Sequence, residues 1–349
     1  MTIPTPRMPT PFGHILICRT DNIGDVVLTL PLAGFLKSRY PGIRIDMLCR
    51  AYAAPVVRHC RFVDNVIEYD PAGDPAAAIG HARYDTILFA FPNRRLAMAA
   101  WRARIPNRVG TSHRLYHWLT CNRLAHFSRV RSTLHEAQLN FALLRPLGID
   151  HVPSLAQIPA LYGLSAPVRG AIGSAQHSFI LHPKSNGNGR EWPLAYYTEL
   201  ARELSGYSDI TLSVTGSAAE GALLAQQAPE LLAMPNVRNL CGSMDLAGLL
   251  ALIGASDGLV ASGTGPLHMS AALGRPTLGL FPPLKPIDPA RWGALGEQAR
   301  VLCVEQPCGQ CADPQACTCM RAITPGQVAE VLLGWRVSRS PDRKENNGK

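Results

Sequence analysis

Short apolar runs alternate with amphipathic stretches of helical length along most of the chain. "HILICR" (14–19), "RIDMLC" (44–49), "VDNVIEY" (63–69) and "YDTILFA" (84–90) have the pattern of buried strands bounded by turn residues. Behind the first, the turn "TDNIGD" leads into a helix through Lys37. Two starts for that helix are open: Thr29 capping a helix at Leu30-Pro31, or a helix begun near Asp25 and kinked at Pro31. Strands separated by helices argue a parallel sheet with helices on its faces.

The alternation pauses over residues 150–177, a proline- and glycine-rich stretch fit for a linker, and then restarts. "SFILHP" (178–183), "ITLSVTG" (210–216), "VRNLCG" (237–242), "DGLVAS" (257–262) and "TLGLF" (277–281) are strands, the last closing the series. "PLAYYTELARELS" (193–205), "EGALLAQQAP" and "DLAGLLALIGAS" (245–256) are helices between them. The expected architecture is two Rossmann-like α/β domains, 14–160 and 161–335. Residues 1–13 read as a flexible lead and 336–349 as a disordered basic tail.

Length and composition narrow the function. A chain of 349 residues with 47% apolar content suits two soluble domains. No uninterrupted apolar run reaches the roughly 18 residues a membrane span needs, and the N-terminus lacks the apolar core of a secretion signal. A cytoplasmic address is the expectation. The 34 Lys and Arg exceed the 25 Asp and Glu by 9, which favours an anionic partner: a nucleotide, a phosphorylated glycolipid or a membrane surface. The charge is spread rather than gathered into a basic helix with interleaved aromatics, so no nucleic acid is expected.

Three junctions of the second half carry candidate anion chemistry. Gly263-Thr264-Gly265-Pro266 passes from strand to helix with no bulky side chain over the backbone. Unpaired amides there, with the helix dipole, make an anion site, although small residues also let strand and helix pack closely. "HPKSNGNGREWP" (182–193) brings Lys184, Ser185 and Arg190 to a glycine-rich loop that suits a diphosphate and equally describes a solvated surface loop. Glu220, four residues after Gly216, stands where an acid takes ribose hydroxyls, or where any helix carries a solvated acid. In the first half, Asn22, Gly24 and Asp25 form the turn behind the first strand. Asp25 suits either a helix cap or a general base.

Together "ILICRTDNIGDVVLTLPLAGFLKSRYPGIRIDMLC", "LHPKSNGNGREWPLAYYTELARELS", "TGSAAE" and "NLCGSMDLAGLLALIGASDGLVASGTGPLHMSAALGRPTLGLF" resemble glycosyltransferase family 9, in order, from about residue 14 to 335. Its best-known members are ADP-heptose:lipopolysaccharide heptosyltransferases. The resemblance implies a GT-B fold, two Rossmann-like domains across a cleft, with the acceptor bound by the first and the sugar nucleotide by the second. It implies inverting transfer of heptose from ADP-heptose onto the anionic lipid A–core acceptor, with no cofactor needed for catalysis. By the same resemblance Asp25 is the catalytic base and Arg190 stands for a phosphate-holding lysine. Glu220 is the ribose acid, Met244 a nucleotide-pocket residue, and Thr264, Gly265 and His268 the donor-phosphate turn and its helix, with leaving-group charge held by the amides at 264–266. The family turn commonly begins with an aspartate; here it is Gly263.

Ten cysteines are present, five of them within 303–319. Cys308, Cys311, Cys317 and Cys319 could bind structural Zn or Fe, stay reduced, or form a disulfide; their spacing is tighter than a zinc ribbon's. Rival functions are a same-fold transferase with another donor such as an N-acetylhexosamine nucleotide, a silent nucleotide- or glycolipid-binding protein, and a Rossmann oxidoreductase. The last is disfavoured because no GxGxxG follows the first strand. The basic surface further implies peripheral contact with the cytoplasmic face of the inner membrane.

Overall fold

The computed structural model describes residues 12–80, 82–167, 176–185, 187, 189–311, 313 and 316–339. The chain divides into two compact units between Ser165 and Ala166. The first holds β1 (His14–Cys18), β2 (Arg44–Arg50), β3 (Asn65–Tyr69), β4 (Thr86–Phe89), β5 (Asn107–Thr111) and β6 (Arg123–Ala125). They form one parallel sheet in the order β3-β2-β1-β4-β5-β6. This is the doubly wound order, and the winding reverses between β1 and β4. Both central strands are almost wholly buried, as near-continuous apolar runs in a parallel sheet require.

The open question about the first helix resolves into two helices, Ile23–Val27 and Leu30–Arg39. Thr29 stands at the break and donates from Oγ1 to the Asp25 carbonyl at 2.8 Å, while Pro31 lies in the first turn of the second helix. Proline lacks the N–H that would continue the first helix through the break.

The second unit holds β7 (His177–His182), β8 (Ile210–Val214), β9 (Val237–Asn239), β10 (Gly258–Ser262), β11 (Thr277–Phe281) and β12 (Ala299–Cys303). Their order, β12-β11-β10-β7-β8-β9, repeats the winding of the first unit, with its reversal between β7 and β10. Phe179, Leu181, Leu212, Val260 and Leu278 meet Tyr197 and Leu200 of the Leu194–Leu204 helix in the core. Leu332 and Trp335 of the terminal Pro325–Arg339 helix complete that cluster.

Several elements differ from the sequence reading. β5, β6 and β12 were not anticipated: β5 carries Asn107, Arg108 and Gly110, and β12 exposes Arg300 and Val301. The terminal helix runs through Arg336 to Arg339, where a tail had been expected, and Arg336 Nε pairs with Asp209 Oδ2 at 2.7 Å. Residues 340–349 lie outside the described residues, as do 1–11 of the lead. Phe12, still within the expected lead, is buried, and Gly13 N and His14 N both donate to Asp85 Oδ2. Residues 161–165 belong with the first unit, because Leu164 bridges Cys60 and Ser165 N donates to the His59 carbonyl at 3.0 Å.

Candidate functional site

Parallel α/β sheets bind ligands beyond the carboxyl ends of their strands, at the point where the winding reverses. In the second unit that point lies between β7 and β10, whose His182 and Ala261 stand opposite one another. The loops leaving these two strands meet: a side chain at Gly189 would stand 3.3 Å from the Gly263 carbonyl oxygen. Lys184, Ser185, Arg190, Thr264 and Gly265 therefore share one strand-end cluster. Glu220 and Met244 follow β8 and β9 at the same edge of the sheet.

Thr264 is the N-cap of the Gly265–Ala272 helix, with extended backbone at φ −134° and ψ 165°, yet its side chain makes no capping bond. Its Oγ1 is buried with no hydrogen-bond partner among the described residues. Pro266 occupies the second helical position and has no N–H. The candidate donors at this helix start are therefore the amides of Thr264, Gly265 and Leu267. His268 is buried on this helix. Gly263 has a steric reason: a Cβ there would meet the Phe281 ring at 3.0 Å, and one at Gly279 would meet the same ring at 2.6 Å. Two absent side chains make room for one buried ring beneath the turn.

On the β7 loop, Lys184 Nζ pairs with Glu191 Oε2 at 2.5 Å, and Ser185 N donates to Glu191 Oε1 at 2.8 Å. Glu191, not singled out from sequence, thus engages both. Arg190 turns elsewhere: its Nη2 donates to the Cys311 carbonyl at 2.8 Å, and its Nε is buried without a partner among the described residues. Asn186 and Asn188 of this loop lie outside the described residues. At the end of β7, His182 Nδ1 lies 2.9 Å from Thr215 Oγ1. Burial holds its pKa down to about 4, so the ring is neutral at physiological pH.

Glu220 forms a capping box with Ser217: Ser217 N donates to Glu220 Oε2 at 2.7 Å and Glu220 N to Ser217 Oγ at 3.2 Å. Met244 is half-buried beside Asp245, the cap of the Leu246–Ala255 helix, and a Cβ at Gly248 would touch its Cβ at 2.8 Å.

In the first unit the reversal between β1 and β4 carries a compact charge cluster. Arg19, directly after β1, donates from Nε to Asp21 Oδ1 at 2.7 Å and from Nη2 to Asp25 Oδ1. Its Nη1 reaches the Ala90 carbonyl beyond β4 at 3.3 Å and Asn140 Oδ1 at 3.2 Å. Glu136 lies 3.6 Å from Arg19 Nη1 and accepts from Arg129 Nε at 3.0 Å. Asn22 is the N-cap of the Ile23–Val27 helix but makes no side-chain capping bond, and Gly24 is buried. Burial pushes the Asp25 carboxyl up to about 6; Arg19 opposes the shift, and the like charges of Asp21 and Glu136 reinforce it. Arg19, Asp21, Arg129 and Glu136 were missed from sequence. The nearest signal was an arginine and an aspartate in "CRTD" behind an apolar strand.

Cys308, Cys311, Cys317 and Cys319 converge after β12, with their four Sγ atoms all within 4.8 Å of one another. All four are free thiols, and the last three are buried. Hydrogen bonds from the Thr318 and Gln310 backbone pull the Cys308 thiol down to about 5.

The two doubly wound sheets, one bearing a half-buried carboxyl with a raised pKa and the other an anion-ready helix start, define a Rossmann-like α/β protein with the groups for acid–base chemistry and anion binding. Comparison with known proteins carries this further. The chain belongs to glycosyltransferase family 9 (heptosyltransferase), whose family model matches residues 76–319. It is a glycosyltransferase. Lipopolysaccharide heptosyltransferase 2 of Escherichia coli K12 is 27% identical over 306 residues, covering 78% of this chain and 83% of the relative. The structure of E. coli ADP-heptose lipopolysaccharide heptosyltransferase II superposes with TM-score 0.71 at 20% identity, over 93% of this chain and 99% of that one. A family 9 glycosyltransferase from Veillonella parvula gives TM-score 0.75 at 19% identity, over 95% and 99%. The fold is GT-B.

Proposed function

We propose that this enzyme transfers heptose from ADP-heptose to the lipopolysaccharide inner core, with inversion and with no metal at the reacting carbon. The carrying observation is the Asp25 carboxyl: 14% exposed, paired with Arg19 and raised to about 6, it is matched to accept a proton near neutral pH. The acceptor hydroxyl gives its proton to Asp25 as its oxygen bonds to the anomeric carbon. The bond from that carbon to the β-phosphate oxygen breaks, and ADP leaves with the electron pair. The Gly265 and Leu267 amides, Thr264 Oγ1 and Arg190 Nε, which is buried and unpaired among the described residues, stabilise the departing charge in place of a metal ion. Lys184 and Ser185 assist through the Glu191 network. Glu220 takes a ribose hydroxyl, and Met244 and His268 border the nucleotide. Asn22 and Gly24 shape the acceptor turn.

Gly263 supports a second reading of the donor, an N-acetylhexosamine nucleotide, because the acid expected beside the donor sugar is absent and Phe281 fills its place. The enzyme works in the cytoplasm, peripherally on the inner face of the inner membrane. Between Asp85 and Glu136 the chain carries nine arginines and no acidic residue. Within that stretch the Leu115–Thr120 helix exposes Leu115, Trp118 and Leu119, spaced to share one face.

Transfer to truncated core lipopolysaccharide, assayed with a panel of nucleotide sugars, identifies the donor. Asp25→Ala is expected to lower kcat by about 10²- to 10⁴-fold with ADP affinity unchanged. Transfer at the wild-type rate would remove Asp25 as the base, and absence of transfer by the wild type with every donor would favour a silent binding protein.

A further inference from the structure

The four-cysteine cluster lies outside the reaction described above, yet it touches that site at one atom. Its sulfurs are spaced 3.6 Å (Cys308–Cys311), 3.5 Å (Cys311–Cys319), 3.9 Å (Cys308–Cys317) and 3.9 Å (Cys311–Cys317). A disulfide would need about 2.05 Å. Four sulfurs set tetrahedrally about 2.3 Å from one ion stand about 3.8 Å apart, close to these four distances, and all four sulfurs lie within 4.8 Å of one another. The Cys308 amide donates to Cys319 Sγ at 3.4 Å, an interaction that favours negative charge on sulfur. An all-sulfur tetrahedron selects zinc or iron and leaves no open position for substrate, so its role is structural.

What the loop holds in place is the donor arginine. The Cys311 carbonyl accepts from Arg190 Nη2 at 2.8 Å. Two residues on, Trp192 Nε1 donates to the Ile323 carbonyl at 2.8 Å, just beyond the last cysteine. The segment 190–192 is thus fastened once within the cysteine loop and once just after it. We propose that Cys308, Cys311, Cys317 and Cys319 bind one zinc or iron ion, and that this ion fixes the Cys311 carbonyl and so holds the Arg190 guanidinium ready for the donor diphosphate. Metal loading then sets nucleotide affinity without metal touching the reacting atoms. The coupling rests on the reading of Arg190 as a phosphate ligand; the metal site itself does not.

The test uses the full chain. Elemental analysis is expected to find about one zinc or iron per chain, and to say which; none, before or after incubation with either metal, would overturn the site. ADP affinity by calorimetry is then compared for loaded, metal-stripped and reloaded wild type. Loss of a positioned charged hydrogen bond predicts about tenfold weaker binding on stripping, restored on reloading. Equal affinity in all three states would overturn the coupling. Cys317→Ser is expected to lose the metal and match the stripped protein, with circular dichroism reporting its fold. Arg190→Ala is expected to keep its metal, bind ADP weakly and lose sensitivity to stripping. If Arg190→Ala binds ADP as wild type does, the arginine assignment fails and the coupling with it, while the metal analysis still stands.

Discussion

If Asp25 is the base, as proposed, it acts only when deprotonated, and its raised pKa then sets the acid side of the pH profile. The protonated fraction is inactive: kcat/KM is expected to rise with pH through about 6 and level off above. Asp21 shares Arg19 with Asp25 and adds a like charge beside it. Asp21→Asn removes that charge and leaves Arg19 to Asp25, and both effects favour the carboxylate. The inflection is therefore expected at lower pH in that variant, and an unmoved limb would mean that this cluster does not set it. Asp25, Arg190 and Thr264 were singled out in the sequence because each lies in the segment that follows an apolar strand. Arg19's ties to Asn140 and Glu136 were not, since only the folded sheet brings such distant positions together. Nor was the hold on Arg190, because its acceptor is a backbone carbonyl that any residue at 311 would offer.

The Gly265–Ala272 helix begins on an unusual threonine: extended like an N-cap, buried, and bonded to nothing through its hydroxyl among the described residues. A buried hydroxyl without a partner costs about 1–3 kcal/mol. Thr264→Val, close in shape, is expected to leave the melting temperature unchanged or raised while weakening ADP binding. A lower melting temperature with unaltered ADP affinity would assign the hydroxyl to the fold instead. Strands were legible where aliphatic runs are central: β1, β4, β7 and β10 coincide with the apolar segments at 14–19, 84–90, 178–183 and 257–262. The edges were harder. β6 spans only Arg123–Ala125 and β12 turns Arg300 and Val301 outward, so neither gives a continuous apolar signal. The helix break at Thr29 was foreshadowed by Pro31, but the sequence held no reason to prefer two helices to one kinked helix.

For the whole chain, the proposed contact with an anionic membrane surface rests on an excess of 9 positive charges. The arginines between Asp85 and Glu136 and the exposed Leu115, Trp118 and Leu119 suit anionic lipid headgroups over an apolar interior. The protein is expected to sediment with phosphatidylglycerol vesicles and not with phosphatidylcholine, and to be released as salt rises. Leu115→Ser with Leu119→Ser should weaken sedimentation several-fold while leaving transfer to a water-soluble acceptor unchanged. Sedimentation unaffected by this pair would move the contact elsewhere. The buried ring of Phe281 reaches beyond this one protein. Since it occupies the volume that side chains at 263 and 279 would claim, those three positions are sterically tied. A descendant of this chain that recovers an acid at 263 is expected to have first, or at once, traded Phe281 for something slimmer, so diversification of donor choice here would proceed by linked rather than single replacements.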